Sequence, residues 1–256
     1  MKIRNLVLLV FVSSLLLWST GCMKHHGLEG NGTIESETRM SVSFNKVENM
    51  GEFNVVCVYD TIFKVVIEAE SNLIPYIHTV VNGNTLRIDT YENLDNNYVM
   101  KVTVHSPVLQ GVELSGSGLI EVEPRITESF EASLSGSGNI YGSISTGNFE
   151  AISSGSGDIN FSISSTNAYA KVRGSGDIKL SGTSTSGYFE NYGSGDIDAF
   201  SLPIKSGNAS INGSGSIYVL VSDFLIAKIF GSGDIVYRGN PVIESEIRGS
   251  GNVIGG

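Results

Sequence analysis

The pentapeptide Gly-Ser-Gly-Asp-Ile recurs in this chain, and its aspartate is the first residue type whose spacing could do chemistry. The four identical copies begin at Gly155, Gly174, Gly193 and Gly231. A glycine-rich run that carries an acid can bind calcium, cradle a phosphate group or turn the chain. The residues around each copy distinguish these three roles.

Calcium binding is the first role to weigh, because some secreted β-rolls bind calcium through Gly-Gly-x-Gly-x-Asp repeats of nine residues. Here the acid follows the glycine directly, and the repeat is about twice as long. Two carboxylates about 5 Å apart in water repel by only about 0.8 kcal/mol, so solvent tolerates a stack of them without an ion. The same position is occupied in other copies by Leu119, Asn139, Ser216 and Asn252.

We therefore interpret the Asp and Asn side chains as turn residues that cap backbone amides. A bound cation remains the alternative, and we predict no metal site and no cofactor. Phosphate binding of the usual kind requires a helix amino terminus behind the glycines, whereas strand-like segments follow here.

Two tyrosines occupy the same position in consecutive copies of the repeat, Tyr169 and Tyr188. Their phase places them on the outside of a strand, where two rings in neighbouring strands can form a stacking surface for a sugar ring. The alternative is that the rings pair only with each other. Tyr169 and Tyr188 are the predicted ligand-binding residues.

Evidence for catalysis is weaker. Many β-helical enzymes that degrade acidic polysaccharides use clustered Asp, Arg and Lys side chains on one face. Asp177 lies close in sequence to Lys171, Arg173 and Lys179, which could form such a patch or simply a solvated face. The histidines of the folded part lie outside the repeats, and no serine lies in a nucleophile elbow. We predict no catalytic residues.

The repeat itself predicts the fold. The Gly-Ser-Gly triplet recurs every 18 to 20 residues and begins at Gly116, Gly136, Gly155, Gly174, Gly193, Gly213, Gly231 and Gly249. Ile or Val follows each triplet by two residues, and Ala precedes most triplets by four. Such a unit is too short for a helix-containing crossover and suits one coil of a solenoid whose coils stack about 4.8 Å apart.

We therefore predict an all-β fold, a single-stranded parallel β-helix with coils of about 19 residues, right-handed as parallel crossovers usually are. The triplets would form its corners, where glycine permits a positive φ. The glycines assigned to these turns are Gly155, Gly157, Gly174, Gly176, Gly193, Gly195, Gly231 and Gly233.

Residues 41–115 alternate apolar and polar side chains and predict a β-rich amino-terminal region continuous with the repeat solenoid of residues 116–256. The Asn-Gly pair in "VNGNTLRI" predicts a hairpin, and "SNLIPYIH" predicts a single helical turn. Cys57, inside "NVVCVYD", is expected to be a buried strand residue. The last coil, "GSGNVIGG", leaves an open end that a loop, the amino-terminal strands or another subunit must cover, so an oligomer is possible.

The first 21 residues have the features of a secretory signal, with Lys2 and Arg4 before an apolar stretch from Leu6 to Trp18. Ser-Thr-Gly then precedes Cys22, which resembles the lipobox of bacterial lipoproteins. That resemblance implies cleavage before Cys22 and a diacylglycerol linked to its sulfur; an ordinary secreted protein is the alternative. Residues 22–40 are polar and predict a flexible tether.

Charge limits the class of partner. The formal net charge is −10, and removing residues 1–21 takes away two basic side chains and no acid, which leaves −12. Such a chain lacks the basic face that nucleic acids require, so we expect no nucleic-acid partner.

The recurring Gly-Ser-Gly-Asn/Asp-Ile, entered through "VLQGVELSGSG", is similar to the autotransporter adhesin head domain called the GIN domain, common in Bacteroidetes lipoproteins. The resemblance spans about residues 44–256 and implies a β-helical, extracytoplasmic domain with an adhesive role. It carries no catalytic residue to this chain.

From the tether and the repeats we predict an outer-membrane lipoprotein, facing the periplasm or the cell surface, held by lipid on Cys22. Its solenoid would present a binding surface for a glycan or for an envelope or host protein. A polysaccharide-active enzyme and a non-catalytic envelope-stress accessory remain the alternatives.

Overall fold

A computed structural model describes residues 27–256 of the protein, so the predicted signal peptide and Cys22 lie outside the described residues. The described part contains nineteen strands and a single 3₁₀ turn, Ile74–Tyr76. The first ten strands are β1 (Leu28–Glu29), β2 (Ile34–Met40), β3 (Lys46–Asn49), β4 (Asn54–Tyr59), β5 (Lys64–Glu70), β6 (Ile77–Asn82), β7 (Thr85–Thr90), β8 (Leu94–Asp95), β9 (Lys101–Ser106) and β10 (Gly111–Leu114). The remaining nine are β11 (Leu119–Leu134), β12 (Asn139–Ser153), β13 (Ile159–Val172), β14 (Ile178–Asn191), β15 (Ile197–Ile211), β16 (Ile217–Ile229), β17 (Ile235–Arg238), β18 (Val242–Ile247) and β19 (Val253–Gly255).

Strands β11 to β16 form a parallel solenoid in which each coil pairs with the next. Residues one repeat apart lie opposite each other, so that Ile140 pairs with Ile159 and Ile159 with Ile178. The solenoid has about eight turns of about 19 residues. The predicted all-β parallel solenoid is confirmed, and its right-handedness stays a prediction.

The core is built from ladders of identical or similar side chains. The residue two positions after the triplet is fully buried in seven coils: Ile120, Ile140, Ile159, Ile178, Ile197, Ile217 and Ile235. The residue four positions before the triplet is buried from the Ala132 coil to the Ala227 coil. Three phenylalanines from consecutive coils, Phe130, Phe149 and Phe161, pack with ring centroids 5.1 to 6.3 Å apart.

The triplet glycines lie at corners, but the expected positive φ is wrong for them. Among residues 27–256, positive φ occurs at Gly32, Gly83, Gly182 and Gly239. The affected predictions are those for Gly155, Gly157, Gly174, Gly176, Gly193, Gly195, Gly231 and Gly233.

Close stacking of backbone on backbone explains the glycines instead. A Cβ atom on Gly176 would lie 1.8 Å from the carbonyl oxygen of Gly157, and one on Gly157 would lie 1.7 Å from that of Gly138. The glycine positions of each corner therefore have no room for a side chain, because the backbone of the preceding corner fills the space.

An additional coil precedes the first triplet. Strands β3 and β4 pair in parallel with β10 and β11, and Gly51-Glu52-Phe53 occupies the corner. A Cβ on Gly116 would meet the Gly51 carbonyl oxygen at 2.0 Å, as in the later corners. Asn49 stabilises this corner by donating to the Phe53 carbonyl (2.8 Å) and accepting from the Gly51 N–H (3.1 Å).

The amino-terminal strands complete one end of the solenoid, and we call the strands β1–β9 the cap. β7 and β9 pair in parallel with β3 and β4, and β5, β6 and β2 then add antiparallel strands. The cap therefore covers the end opposite to "GSGNVIGG", while β18 and β19 pair with β16 and β17 at the other end. The predicted hairpin forms with Gly83 at φ +62°, and the predicted helical turn is the 3₁₀ turn.

The predicted flexible tether is wrong from Leu28 onward. The Leu28 N–H donates to the Asn93 carbonyl (2.7 Å), and Ile34–Met40 pairs antiparallel with β5. Arg39 adds side-chain hydrogen bonds to the carbonyls of Ile77 (2.6 Å) and Ile74 (3.2 Å). The polar composition that suggested a tether belongs to a solvent-facing outer strand.

Glu70 joins this amino-terminal segment to the rest of the cap. Its buried carboxylate accepts hydrogen bonds from the Gly32 N–H (2.6 Å), the Asn97 N–H (2.8 Å) and the Asn97 side-chain amide (3.0 Å). The Asn97 side chain, followed by the backbone donors, lowers the pKa of Glu70 against the opposing effect of burial. The ionised carboxylate is thus the form that the fold stabilises.

This arrangement predicts a pH-dependent stability. Because the folded pKa of Glu70 lies below its unfolded value of about 4.3, its contribution is present above that value and is lost as pH falls through the folded pKa. Glu70→Gln should lower the melting temperature at pH 7, and the difference from the wild type should shrink between pH 5 and pH 3. Glu68→Gln, at an exposed neighbouring carboxylate, is the control. A difference that stays constant with pH would contradict this role for Glu70.

Candidate functional site

Tyr169 and Tyr188 line a surface groove with a cavity volume of about 620 Å³. Two adjacent ladders of outward side chains form it, and we call it the tyrosine groove. One ladder is Glu131, Glu150, Tyr169 and Tyr188. The other ladder is Ser129, Asn148, Asn167 and Ser186. The structure therefore brings the two predicted ligand-binding residues into one site.

The register of β11 to β14 explains why these side chains converge. Glu150 pairs with Tyr169 and Tyr169 with Tyr188, so consecutive side chains are separated by the inter-strand spacing of about 4.8 Å. Phe130, Phe149 and Ala168 lie beneath them at buried positions. The groove thus has polar and aromatic walls over an apolar base.

The polar ladder is held by its own hydrogen bonds. The Asn167 amide donates to Asn148 Oδ1 (2.8 Å), and the Ser186 hydroxyl donates to Asn167 Oδ1 (2.7 Å). These bonds fix the orientation of side chains that would otherwise rotate freely on the surface. A ligand would therefore meet a row of amide and hydroxyl groups that is already ordered.

The two tyrosines differ in their environment. The Tyr169 hydroxyl donates to Glu190 Oε2 (2.5 Å), which also accepts from Lys171 Nζ (2.7 Å), whereas Tyr188 is 55% exposed. Partial burial and the Glu190 carboxylate raise the pKa of Tyr169. Burial alone would raise the pKa of Glu190, but the hydrogen bonds from Lys171 and Tyr169 outweigh it and lower that pKa. Tyr169 is anchored, and Tyr188 presents a free ring.

The other end of the tyrosine groove carries carboxylates. Lys46, from the cap, donates to Glu131 Oε2 (2.7 Å). Partial burial, with the negative charge of Glu131, raises the pKa of Glu150 despite Lys46 and Lys171 nearby. The groove therefore combines hydrogen-bond acceptors at one end with aromatic rings at the other.

The sequence missed most of this site. Glu131, Glu150, Asn148 and Asn167 carry a signal that could have been found, because they occupy the repeat positions of the tyrosines and their neighbours. No sequence signal points to Lys46, because it lies in β3, a strand outside the repeats that only the fold places beside β10.

The aspartate stack caps backbone amides as we expected, but the capped amides belong to the next coil and not to the same turn. Asp158 Oδ1 accepts from the Asp177 N–H (2.9 Å), Asp177 Oδ1 from the Asp196 N–H (2.7 Å), and Asp196 Oδ1 from the Ser216 N–H (2.7 Å). Each carboxylate thus holds the start of the next coil. Within residues 27–256, no three His, Cys, Asp or Glu side chains are grouped so as to hold a metal ion.

The mixed acid and base patch suggested by the sequence assembles only in part, because Lys179 lines a groove together with Asp158, Asp177 and Asp196. Lys171 pairs with Glu190 beside Tyr169, whereas Asp177 is engaged with the backbone of the next coil. Cys57 is fully buried, and burial raises the pKa of its thiol to about 12, which makes it inert. In the described part of the chain, no helix is long and apolar enough to cross a bilayer.

Fold and groove together define a class of protein: a parallel β-solenoid whose stacked coils place ladders of like side chains on its faces. The chain matches, over residues 43–241, the family described as "Putative auto-transporter adhesin, head GIN domain", and it belongs to that family. This confirms the resemblance drawn from the Gly-Ser-Gly-Asn/Asp-Ile repeats. No curated protein matches the chain in sequence.

Solved structures share the fold. A protein of Parabacteroides distasonis ATCC 8503 described as a putative lipid binding protein is 28% identical, with a TM-score of 0.83 over 90% of this chain and 99% of that one. A putative adhesin from the same organism is 22% identical, with a TM-score of 0.83 and the same coverage. A putative adhesin of Bacteroides fragilis NCTC 9343 is 25% identical, with a TM-score of 0.70 over 90% of this chain and 100% of that one.

Proposed function

We propose that this protein is an adhesin-type module of the cell envelope that binds a glycan in the tyrosine groove. The observation that carries the proposal is the groove itself, in which two tyrosines from consecutive coils adjoin an ordered row of amide and hydroxyl groups. Membership of an adhesin-like family supports an extracytoplasmic, non-enzymatic role.

Sugar recognition accounts for the combination of groups. A pyranose ring has an apolar face that stacks on an aromatic ring, and hydroxyls around its edge that need donors and acceptors. Tyr188 offers an exposed ring, and Asn148 and Asn167 offer both donors and acceptors. Glu131 and Glu150 add acceptors, so a neutral or amino sugar fits the groove better than an acidic one.

The membrane anchor belongs to the same proposal. Lipid on Cys22 would hold the protein on a bilayer, since acyl chains contribute roughly 0.8 kcal/mol per buried methylene. The lipobox-like sequence, together with membership of an adhesin-like family, supports an outer-membrane location that faces either the periplasm or the outside. A host or envelope protein as the partner is the main alternative.

A second class of ligand comes from the relative described as a putative lipid binding protein. The tyrosine groove is open, and carboxylates and amides line it beside the tyrosine rings and the apolar base, whereas an acyl chain requires a long, enclosed apolar cleft. The groove therefore favours a glycan, and lipid binding there becomes an outcome of the same test.

The test is glycan-array binding by the chain that starts at Cys22, followed by titration of each hit. The double variant Tyr169→Ala/Tyr188→Ala should weaken binding about 10- to 30-fold, because each truncated tyrosine at a binding site costs about 1 kcal/mol. Tyr169→Phe should have a smaller effect, since it removes only the hydroxyl that is already bonded to Glu190.

Tyr141→Ala is the matched control, because Tyr141 is an exposed tyrosine on a different ladder of the same solenoid and contacts Glu121. Saturable binding that the control leaves unchanged and that the double variant weakens at least about 10-fold locates the site. Equal affinity in both variants would place the glycan elsewhere. Binding of fatty acid or phospholipid in the groove, with no glycan hit, would refute the glycan proposal.

A further inference from the structure

We propose that the loop of residues 91–100 in the cap contacts the headgroup region of the membrane that holds the protein. This inference rests on the proposed lipid anchor at Cys22 and adds an orientation to it. The partner is a zwitterionic lipid surface. The solenoid would then stand on its cap, with the carboxyl-terminal coils farthest from the bilayer.

The length of chain between the anchor and the fold is the first argument. The Leu28 N–H bonds to the Asn93 carbonyl (2.7 Å), and the Gly30 N–H bonds to the Asp95 carbonyl (2.9 Å). Asn97 also donates to the Gly30 carbonyl (3.1 Å), so the chain enters the fold against this loop. Six residue steps separate Cys22 from Leu28 and span at most about 20 Å.

The exposed side chains of the loop are the second argument. Tyr91 is 81% exposed, Tyr98 54% and Val99 64%. Tyrosine is enriched where proteins meet the membrane interface, because its ring is apolar and its hydroxyl remains hydrated. More than half of the exposed large apolar side chains in residues 27–256 precede Gly111, although that part of the chain is the shorter one.

The length of the solenoid favours the cap, rather than the far end, as the part that contacts the membrane. About eight coils at about 4.8 Å give a solenoid length of roughly 40 Å, which exceeds the reach of the connecting segment. The loop also contains Glu92 and Asp95 and lies beside Glu29, so an anionic surface would repel it. A zwitterionic surface allows the tyrosines to insert without this repulsion.

The experiment uses a tryptophan reporter. The sequence has one tryptophan, Trp18, which lies in the predicted leader. The chain that starts at Cys22 therefore contains no tryptophan, and it keeps every residue that the structure describes. Tyr98→Trp and Tyr91→Trp place reporters in the loop, and Tyr141→Trp places a control on the side of the solenoid. Each protein is coupled through Cys22 to a maleimide lipid in phosphatidylcholine vesicles. Cys57 does not compete, because it is buried and its pKa is raised to about 12.

Brominated phosphatidylcholine should quench the two loop reporters at least about twofold and shift their emission to the blue, and it should leave the control unchanged. Phosphatidylglycerol vesicles should reduce the quenching. Equal emission with and without bromine at both loop positions would overturn the proposal. Quenching at Tyr141→Trp as strong as in the loop would overturn the upright orientation, because the solenoid would then lie flat.

The anchor itself is tested separately. The full chain with its leader, expressed in a lipoprotein-processing bacterium, should float with membranes, and Cys22→Ser should abolish flotation. Failure to float would refute lipidation of Cys22, whereas the coupled protein would still decide whether the loop contacts lipid. The two hypotheses therefore fail independently.

Discussion

Replacement of Gly176 by alanine should destabilise the protein by at least about 3 kcal/mol, near the upper end of single substitutions. The added Cβ would lie 1.8 Å from the Gly157 carbonyl oxygen, a backbone atom, and the Cβ itself is fixed to a Cα whose backbone is held by the neighbouring coils. A flexible side chain could move away, but here a whole corner must shift. The expected result in urea is a large fall in the unfolding midpoint, measured by circular dichroism.

Gly147→Ala is the matched control, because its Cβ would lie 3.1 Å from the Glu128 carbonyl oxygen and φ there is ordinary. Gly147→Ala should lower the free energy of unfolding by less than about 1 kcal/mol, because alanine reduces the entropy of the unfolded chain and so offsets part of the strain. Ser175→Ala, at the exposed middle position of the same triplet, should change stability by less than about 0.5 kcal/mol. Equal effects at residues 147 and 176 would show that close stacking does not explain the glycines.

Replacement of Phe161 by alanine should cost about 3 to 5 kcal/mol. Its ring is fully buried. The ring centroid lies 5.1 Å from the centroid of Phe149 and 5.7 Å from the centroid of Phe130. The stacked coils on both sides are fixed by backbone ladders, so the walls cannot collapse into the cavity. Unfolding in urea should show a lower midpoint. The dependence of the free energy of unfolding on urea concentration should also change if the coils no longer unfold together.

Phe161→Leu tests whether the lost volume is responsible, since it keeps an apolar side chain and should cost roughly half as much. Phe224→Ala, at a partly exposed outer ladder position, should cost under about 1 kcal/mol. A cost for Phe161→Ala as small as that for Phe224→Ala would mean that the aromatic cluster contributes little to the core.

The groove and the cap loop also differ in how each could be predicted. Tyr169 and Tyr188 were found because a repeat period converts sequence distance into spatial contact: residues 19 apart must lie on adjacent coils. The same rule applies to Glu131 and Glu150, which sequence reasoning overlooked. No repeat period predicts the contacts of the cap loop. Leu28 meets Asn93 because two segments with unrelated sequence patterns pair in the fold.

The sequence by itself determined the solenoid: its strand class, its coil length, its inward isoleucine and alanine ladders, and the capping role of Asp158 and its equivalents. All of these follow from a local pattern repeated at a constant period, so each coil specifies its neighbour. The tertiary structure alone decided why the triplets need glycine, because the clash that forbids a side chain arises between backbones of adjacent coils. It also decided that Gly51-Glu52-Phe53 forms a further corner, that Lys46 reaches Glu131, and that β1 and β2 pair with β8 and β5. Those features depend on contacts between distant, dissimilar segments, and local patterns do not encode such contacts.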